Sequence, residues 1–230
     1  MTIEAKPLGA AAAADPVSAT GPQFGAEFRA EFETLLAWRR DVRRFRREPL
    51  PEGLLEQLLG LAELAPSVGL SQPWRFVRVA SPQARARVRA NFQAANAAAL
   101  ADYSGCRAAL YARLKLAGLD EAPEQLAVFA EGDPAQGHGL GRRSMPETLL
   151  YSTVCAVHTL WLAARAAGVG LGWVSILDPQ ALARDLAVPE SWRLVAYLCL
   201  GYAQEAQEDP ELAREGWEQR RGGGTRLVTR

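Results

Sequence analysis

The sequence contains almost no lysine: Lys6 and Lys115 are the only two, so arginine is the default cation of this protein. A given arginine is therefore first read as a solvated surface charge. Histidine is equally scarce. His138 and His158 are the only two, and neither sits in a Cys/His or HExxH spacing, so no metal site is expected. Cysteine is limited to Cys106, Cys155 and Cys199, widely spaced, odd in number and without a CxxC pair. That pattern argues against a disulfide framework and suits a reducing cytoplasm. An imbalance of charge is missing too. The 26 basic side chains meet 26 acidic ones, and nothing global draws the chain to nucleic acid or to an anionic membrane. The longest apolar stretch, Leu149–Ala167, carries His158 and Arg165 and reads as a buried helix, not a membrane span. The alanine-rich start lacks the basic lead and apolar run of a signal peptide, so residues 1–22 read as disordered.

Against this even background, AWRRDVRRFRRE, Ala37 to Glu48, places six arginines around the single Asp41. Three readings fit such a cluster. Arginines in a last helical turn are favoured by the helix dipole. A basic face can bind nucleic acid, but here neither a recognised module nor a net positive charge supports it. Guanidinium forks also match the oxygens of a phosphate on a small ligand. On charge alone the solvated helix end is the default.

The chain of 230 residues suits one fair-sized domain. Phe24, Phe28, Phe32, Leu35 and Leu36 have helical spacing and lead into the cluster. Pro51 opens a second helix that must end near Ala65, because Pro66 follows. PSVGLSQP is a loop, and Trp74–Val79 a strand. Ser81-Pro82 caps an alanine-rich helix, another runs from about Arg107 to Leu116 and ends at Gly118, and Leu126–Ala130 is a strand. Ser144 and Glu147 have capping-box spacing ahead of the long helix, which Gly168 ends. GVGLGWVSI is a strand, Asp178-Pro179 starts a short helix, and Leu194–Leu200 is a last strand. The charged tail from Gly201 is expected to wrap a neighbour or fray. This order predicts an α+β domain over 23–205, with an extension over 206–230, and not a Rossmann fold: Gly168, Gly170 and Gly172 precede a strand instead of following one.

RRDVRRF, then APSVGLSQPW, then GVGLGWVSI together resemble the nitroreductase-like flavoprotein family over roughly Leu35–Tyr202. The resemblance implies a helical shell around a central mixed, mostly antiparallel sheet, with FMN at a homodimer interface. It assigns the flavin phosphate to Arg39 and Arg43, with Arg40 contributing; Arg44, Arg46 and Arg47 stay surface charges. Val42, Ser67, Leu70, Ser71, Gly172, Trp173 and Ser175 join the FMN contacts, and Tyr111 and Lys115 fall where a lid would lie. Two departures stand out: Asp41 replaces a usual serine, and Leu70 a usual asparagine. Both, with YSTVCAVHTLWLAARAAGVGLGWVSI, are similar to a branch in which reduced FMN is the substrate. There dioxygen breaks the ring system into dimethylbenzimidazole and erythrose 4-phosphate, without metal, and a separate flavin reductase supplies the dihydroflavin. Asp41 and Ser175 carry over as the catalytic pair. The residues by themselves leave structural readings open, a salt bridge for Asp41 and a strand-end turn for Ser175. A nicotinamide-dependent reductase and a non-catalytic flavin carrier remain the rival functions.

Overall fold

The computed structural model describes residues 21–114, 117–220 and 228–230. A four-stranded sheet in the order β1-β2-β4-β3 forms its centre, from β1 (Trp74–Arg78), β2 (Glu124–Glu131), β3 (Gly170–Val174) and β4 (Trp192–Gly201). All three pairings are antiparallel. The parallel component of the expected mixed sheet is a lone bridge between Asp41 and Leu171.

The apolar run of β2 is continuous because both of its faces are covered. Leu126 and Val128, with Ala196, Leu198 and Leu200 of β4, face one core, closed by α2 (Leu54–Ala62) and α6 (Thr148–Ala166). Ala127 and Phe129, with Tyr197 and Cys199, face a second core. That core also holds Val88 of α3 (Pro82–Ala101), Leu119 of α5 (Gly118–Glu121) and Leu182 of α7 (Pro179–Asp185). Period-two alternation thus serves two cores at once. Burying both faces also leaves the sheet's outer edge, along β3, as a place where polar backbone can meet other groups.

Several boundaries differ from the sequence expectations. The second helix begins at Leu54, after Gly53 turns the chain at φ 78°, and ends at Ala62. The QPW loop contains a 3-10 turn at Val68–Leu70. The helix expected from Arg107 is α4 (Gly105–Arg113), and Gly118 starts α5 instead of ending α4. The capping box does not form. Glu147 caps α6 without a side-chain bond, and Ser144 donates to the Gly141 carbonyl at 3.3 Å. Gly168, at φ 75°, ends α6 as expected. Ser81 and Asp178 cap α3 and α7 with their side chains.

The first helix, α1 (Ala26–Trp38), buries none of its residues. Phe24, Phe28 and Phe32 stack on one another at its surface. The tail after β4 folds back on its own chain as far as α8 (Glu211–Arg214) and Trp217. Most of the expected N-terminal disorder, residues 1–20, lies outside the described residues, as do 221–227 of the tail.

Candidate functional site

The segment after α1 runs along the free edge of β3. Val42 N donates to the Leu171 carbonyl at 3.0 Å, as a neighbouring strand would. The next donor on that edge is Trp173 N, and it is taken not by backbone but by Asp41 Oδ1, at 2.8 Å. The close approach requires glycine. A methyl group on Gly172 would overlap the Val42 carbonyl oxygen, and one on Gly170 would lie 2.9 Å from Val42 Cγ2. The room left by these glycines is filled by the chain itself.

Asp41 therefore has one oxygen committed to the sheet. The other, Oδ2, lies 3.5 Å from Arg43 Nε. The side chain keeps 37% of its exposure at the mouth of the site. Dense protein around the rest removes enough water for burial to raise the carboxyl above its ordinary value. The Trp173 N–H, Arg43 and Arg39 oppose that rise without cancelling it. Cys199 borders the same small cavity, with Gly118, Gly172 and Trp173. Burial first, and then the Asp41 charge, push its thiol up to about 12, so it stays protonated and is no nucleophile.

The arginines divide by partner. Arg39 lies over the Trp161 ring at 4.7 Å, with no carboxylate partner among the described residues. Arg40 donates to the Glu208 and Arg39 carbonyls. Burial first, then repulsion by Arg220 and Arg39, lower its guanidinium below the usual value, and Glu208 and Asp209 only partly oppose them. Arg44 pairs with Glu211 at 3.3 Å, and Arg46 with Glu48 at 3.2 Å. Arg39, Arg40, Asp41, Val42, Arg43, Gly172 and Trp173 are thus drawn together. Ser175 is exposed one residue beyond β3. Two residues of strand place it about 7 Å further along the edge from Trp173.

Ser67, Leu70 and Ser71 are elsewhere. Val68 N donates to Ser152 Oγ near the start of α6, whereas Trp161, beside Arg39 and Arg40, is nine residues further along. At a rise of 1.5 Å per residue the two places are about 13 Å apart along that helix. The loop is nevertheless firmly held. Gln72 N donates to Ser67 Oγ at 3.1 Å, and Gln136 Nε2 donates to the Leu70 carbonyl at 2.7 Å and to Gln72 Oε1 at 3.0 Å. Leu70 is in the left-handed region, at φ 53°, with 70% of its surface exposed. Ser71 is buried with its hydroxyl unpartnered among the described residues. Tyr111, on α4, donates to Asn96 Oδ1 at 2.9 Å; Lys115 lies outside the described residues. A cavity of about 590 Å³ between Glu131, Arg142, Leu149 and Arg193 includes none of the expected residues.

A model of the nitroreductase family matches residues 36–202. The chain belongs to the nitroreductase family. It is 55% identical over 202 residues to the 5,6-dimethylbenzimidazole synthase of Rhodospirillum rubrum, covering 88% of this chain and 96% of that one. It is equally identical over 185 residues to the synthase of that name from Rhodobacter capsulatus, covering 80% and 89%. Among solved structures, iodotyrosine deiodinase bound to FMN and 3-iodo-L-tyrosine aligns with TM-score 0.69 at 24% identity, covering 86% of this chain and 98% of that one. The expected fold is thereby established: a nitroreductase-like α+β domain of helices around an antiparallel sheet.

Within this family setting, the residues that sequence reasoning missed lie in the tail. Gln204, Glu205, Gln207, Asp209, Glu211 and Arg214 line a cavity together with Arg40–Arg44. Glu121 accepts from Phe45 N at 3.1 Å and helps to fix the arginine segment from below. Only the alternation of acids in the tail with arginines near position 40 hinted at such pairing.

Proposed function

We propose that this enzyme degrades reduced FMN with dioxygen to 5,6-dimethylbenzimidazole, the lower ligand of cobalamin, and erythrose 4-phosphate. The observation that carries the reading is Asp41. In a chain 55% identical to proteins named for this synthesis, a carboxylate replaces the usual family serine and is held at the β3 edge among arginines. The residues present fit the flavin nucleotide: Arg39 lacks a carboxylate partner among the described residues, and Arg40, lowered first by burial and then by Arg220 and Arg39, lies beside it. Both features suit a phosphate dianion. Reduced FMN supplies its own electrons to dioxygen, so the protein's task is to bind, orient and exchange protons. Asp41 Oδ1 is occupied by Trp173 N–H, which leaves Oδ2 to accept a carbon-bound proton. A carboxyl raised by burial is a stronger base than an exposed one. Trp173 would cover the flavin ring, and Ser175, exposed just beyond the same strand, would offer it a hydroxyl.

We assign Ser67, Leu70 and Ser71 to the FMN site of a second copy. Phe28, Phe32 and Leu36 of α1, with Tyr151 and Val154 of α6, leave a broad apolar surface exposed. A 13-residue helix with no buried side chain is marginal by itself, and a two-fold homodimer would cover it. No described helix is long and apolar enough to cross a membrane. A cytoplasmic enzyme fed by a separate flavin reductase completes the reading.

The deciding experiment supplies photoreduced FMN and air without nicotinamide and analyses products by mass spectrometry. Dimethylbenzimidazole is expected. Oxidised FMN and hydrogen peroxide alone, with rapid NADPH oxidation on a nitroaromatic, would instead favour a conventional reductase.

A further inference from the structure

Trp161, on α6, touches the arginine segment twice. Its indole Nε1–H donates to the Arg40 carbonyl at 3.1 Å, and the Arg39 guanidinium lies over its ring at 4.7 Å. The first contact serves the second: an indole tied at its N–H keeps one orientation, which fixes the face it offers to Arg39. The Arg39 backbone is fixed as well. It caps α1, and its N–H donates to the Leu35 carbonyl at 2.9 Å.

An arginine side chain is long and loses rotamer freedom when it grips a ligand. The ring relieves part of that cost before any ligand arrives. It attracts the charge without supplying an oxygen acceptor, and no carboxylate among the described residues takes up the Arg39 donors. Trp161 also borders the other half of the site. Its ring lies 6.3 Å from that of Trp173, whose backbone N–H holds Asp41 Oδ1. The same two helices carry a second contact of this kind, Arg165 in the last turn of α6 over the Trp38 ring at 5.9 Å. That pair ties α1 to α6. Arg39 is closer to its ring and two residues from Asp41, so it is the one that reaches the site.

We propose that Trp161 is a positioning residue for the flavin phosphate: its indole is a shelf that holds the Arg39 guanidinium ready for the ligand. The inference rests on the flavin reading above and on the fit of Arg39 to the phosphate. Its consequence is a preference for FMN over riboflavin, which has no phosphate to meet the held cation.

The test titrates oxidised FMN and riboflavin into the flavin-free full chain and follows flavin fluorescence. Trp161 packs against the first core, so Trp161→Leu removes the ring face and N–H while keeping apolar cover. It is expected to weaken FMN by about tenfold and riboflavin by less than about twofold. Trp161→Phe restores a ring under Arg39 and should recover most of the FMN affinity. In an Arg39→Ala background, adding Trp161→Leu should cost less than about twofold, because the shelf has nothing left to hold. Arg165→Ala should leave the ratio of the two affinities unchanged; a shift as large as that of Trp161→Leu would trace the effect to the helix contact and overturn the shelf. Equal weakening of both ligands in Trp161→Leu would make the indole a packing element, and losses that multiply in the double variant would separate it from Arg39. Either result overturns the inference. If Arg39→Ala itself weakens both ligands alike, the phosphate role of Arg39 fails and the shelf with it. A selective loss in Arg39→Ala without one in Trp161→Leu removes Trp161 alone.

Discussion

The β3 edge and the Ser67–Gln72 loop are both firmly built, but for different purposes. At the edge, Asp41 Oδ1 accepts from Trp173 N while Oδ2 stands 3.5 Å from Arg43 Nε, all within one chain. The loop is held just as tightly by Ser152 and Gln136, yet it presents a strained leucine outward and keeps a buried serine hydroxyl unpartnered among the described residues. A self-contained cluster can serve structure or chemistry. A rigid loop that holds an apolar side chain in an unfavourable conformation has an occupant outside its own chain to explain. On the proposed reading the edge supplies reactive groups, and the loop a preformed wall for a second copy.

The sharpest way to break this contrast is Asp41→Asn. The amide oxygen can still accept from Trp173 N–H, so the fold and FMN binding should survive, while dimethylbenzimidazole formation drops by about 10²-fold or more. Product at the normal rate would reduce Asp41 to a sheet-edge partner. The pH profile sharpens the same point. The base must be ionised, so activity is lost as pH falls through its carboxyl value, and burial places that limb above the ordinary carboxylate range. Removing the opposing cation with Arg43→Ala moves the limb higher still.

Next in size is the wall. Phe28→Asp with Phe32→Asp should give a monomer by native mass spectrometry, with FMN binding largely lost although the edge is intact. A monomer that binds FMN normally would confine the site to one chain. Arg39→Ala should weaken FMN by about 10- to 100-fold, and riboflavin, which has no phosphate, much less. Equal losses measured by fluorescence titration would dismiss the phosphate role. The smallest effect is expected at Leu70. Asparagine tolerates φ 53° better than leucine, so Leu70→Asn should raise the melting temperature by about 2–4 °C while lowering the yield of product per reduced FMN. A stabilised variant with full yield would show the leucine to be idle.

The arginine–aspartate cluster, the QPW loop and the GVGLGWVSI strand were all legible, because each has local chemistry that survives in a linear text. Capping at Ser81 and Asp178, and the Gly168 stop, were read correctly for the same reason: they depend on neighbours within a few residues. The capping box at Ser144 failed because a glycine-rich approach let that hydroxyl turn back to Gly141. What lies beside Gly170 and Gly172 was not legible: Val42, about 130 residues away, packs where their side chains would be. Nothing local to the tail pointed to Trp217 meeting Tyr103 and Tyr111.

By itself the sequence determined the family, the presence of the four strands and the set of charged groups available, since these follow from residue type and short-range spacing. Tertiary structure alone decided which arginines meet a carboxylate among the described residues, how the two Asp41 oxygens are engaged, and whether burial or the neighbouring cations govern its carboxyl. Those outcomes depend on distance and on excluded water, and chain positions far apart set both.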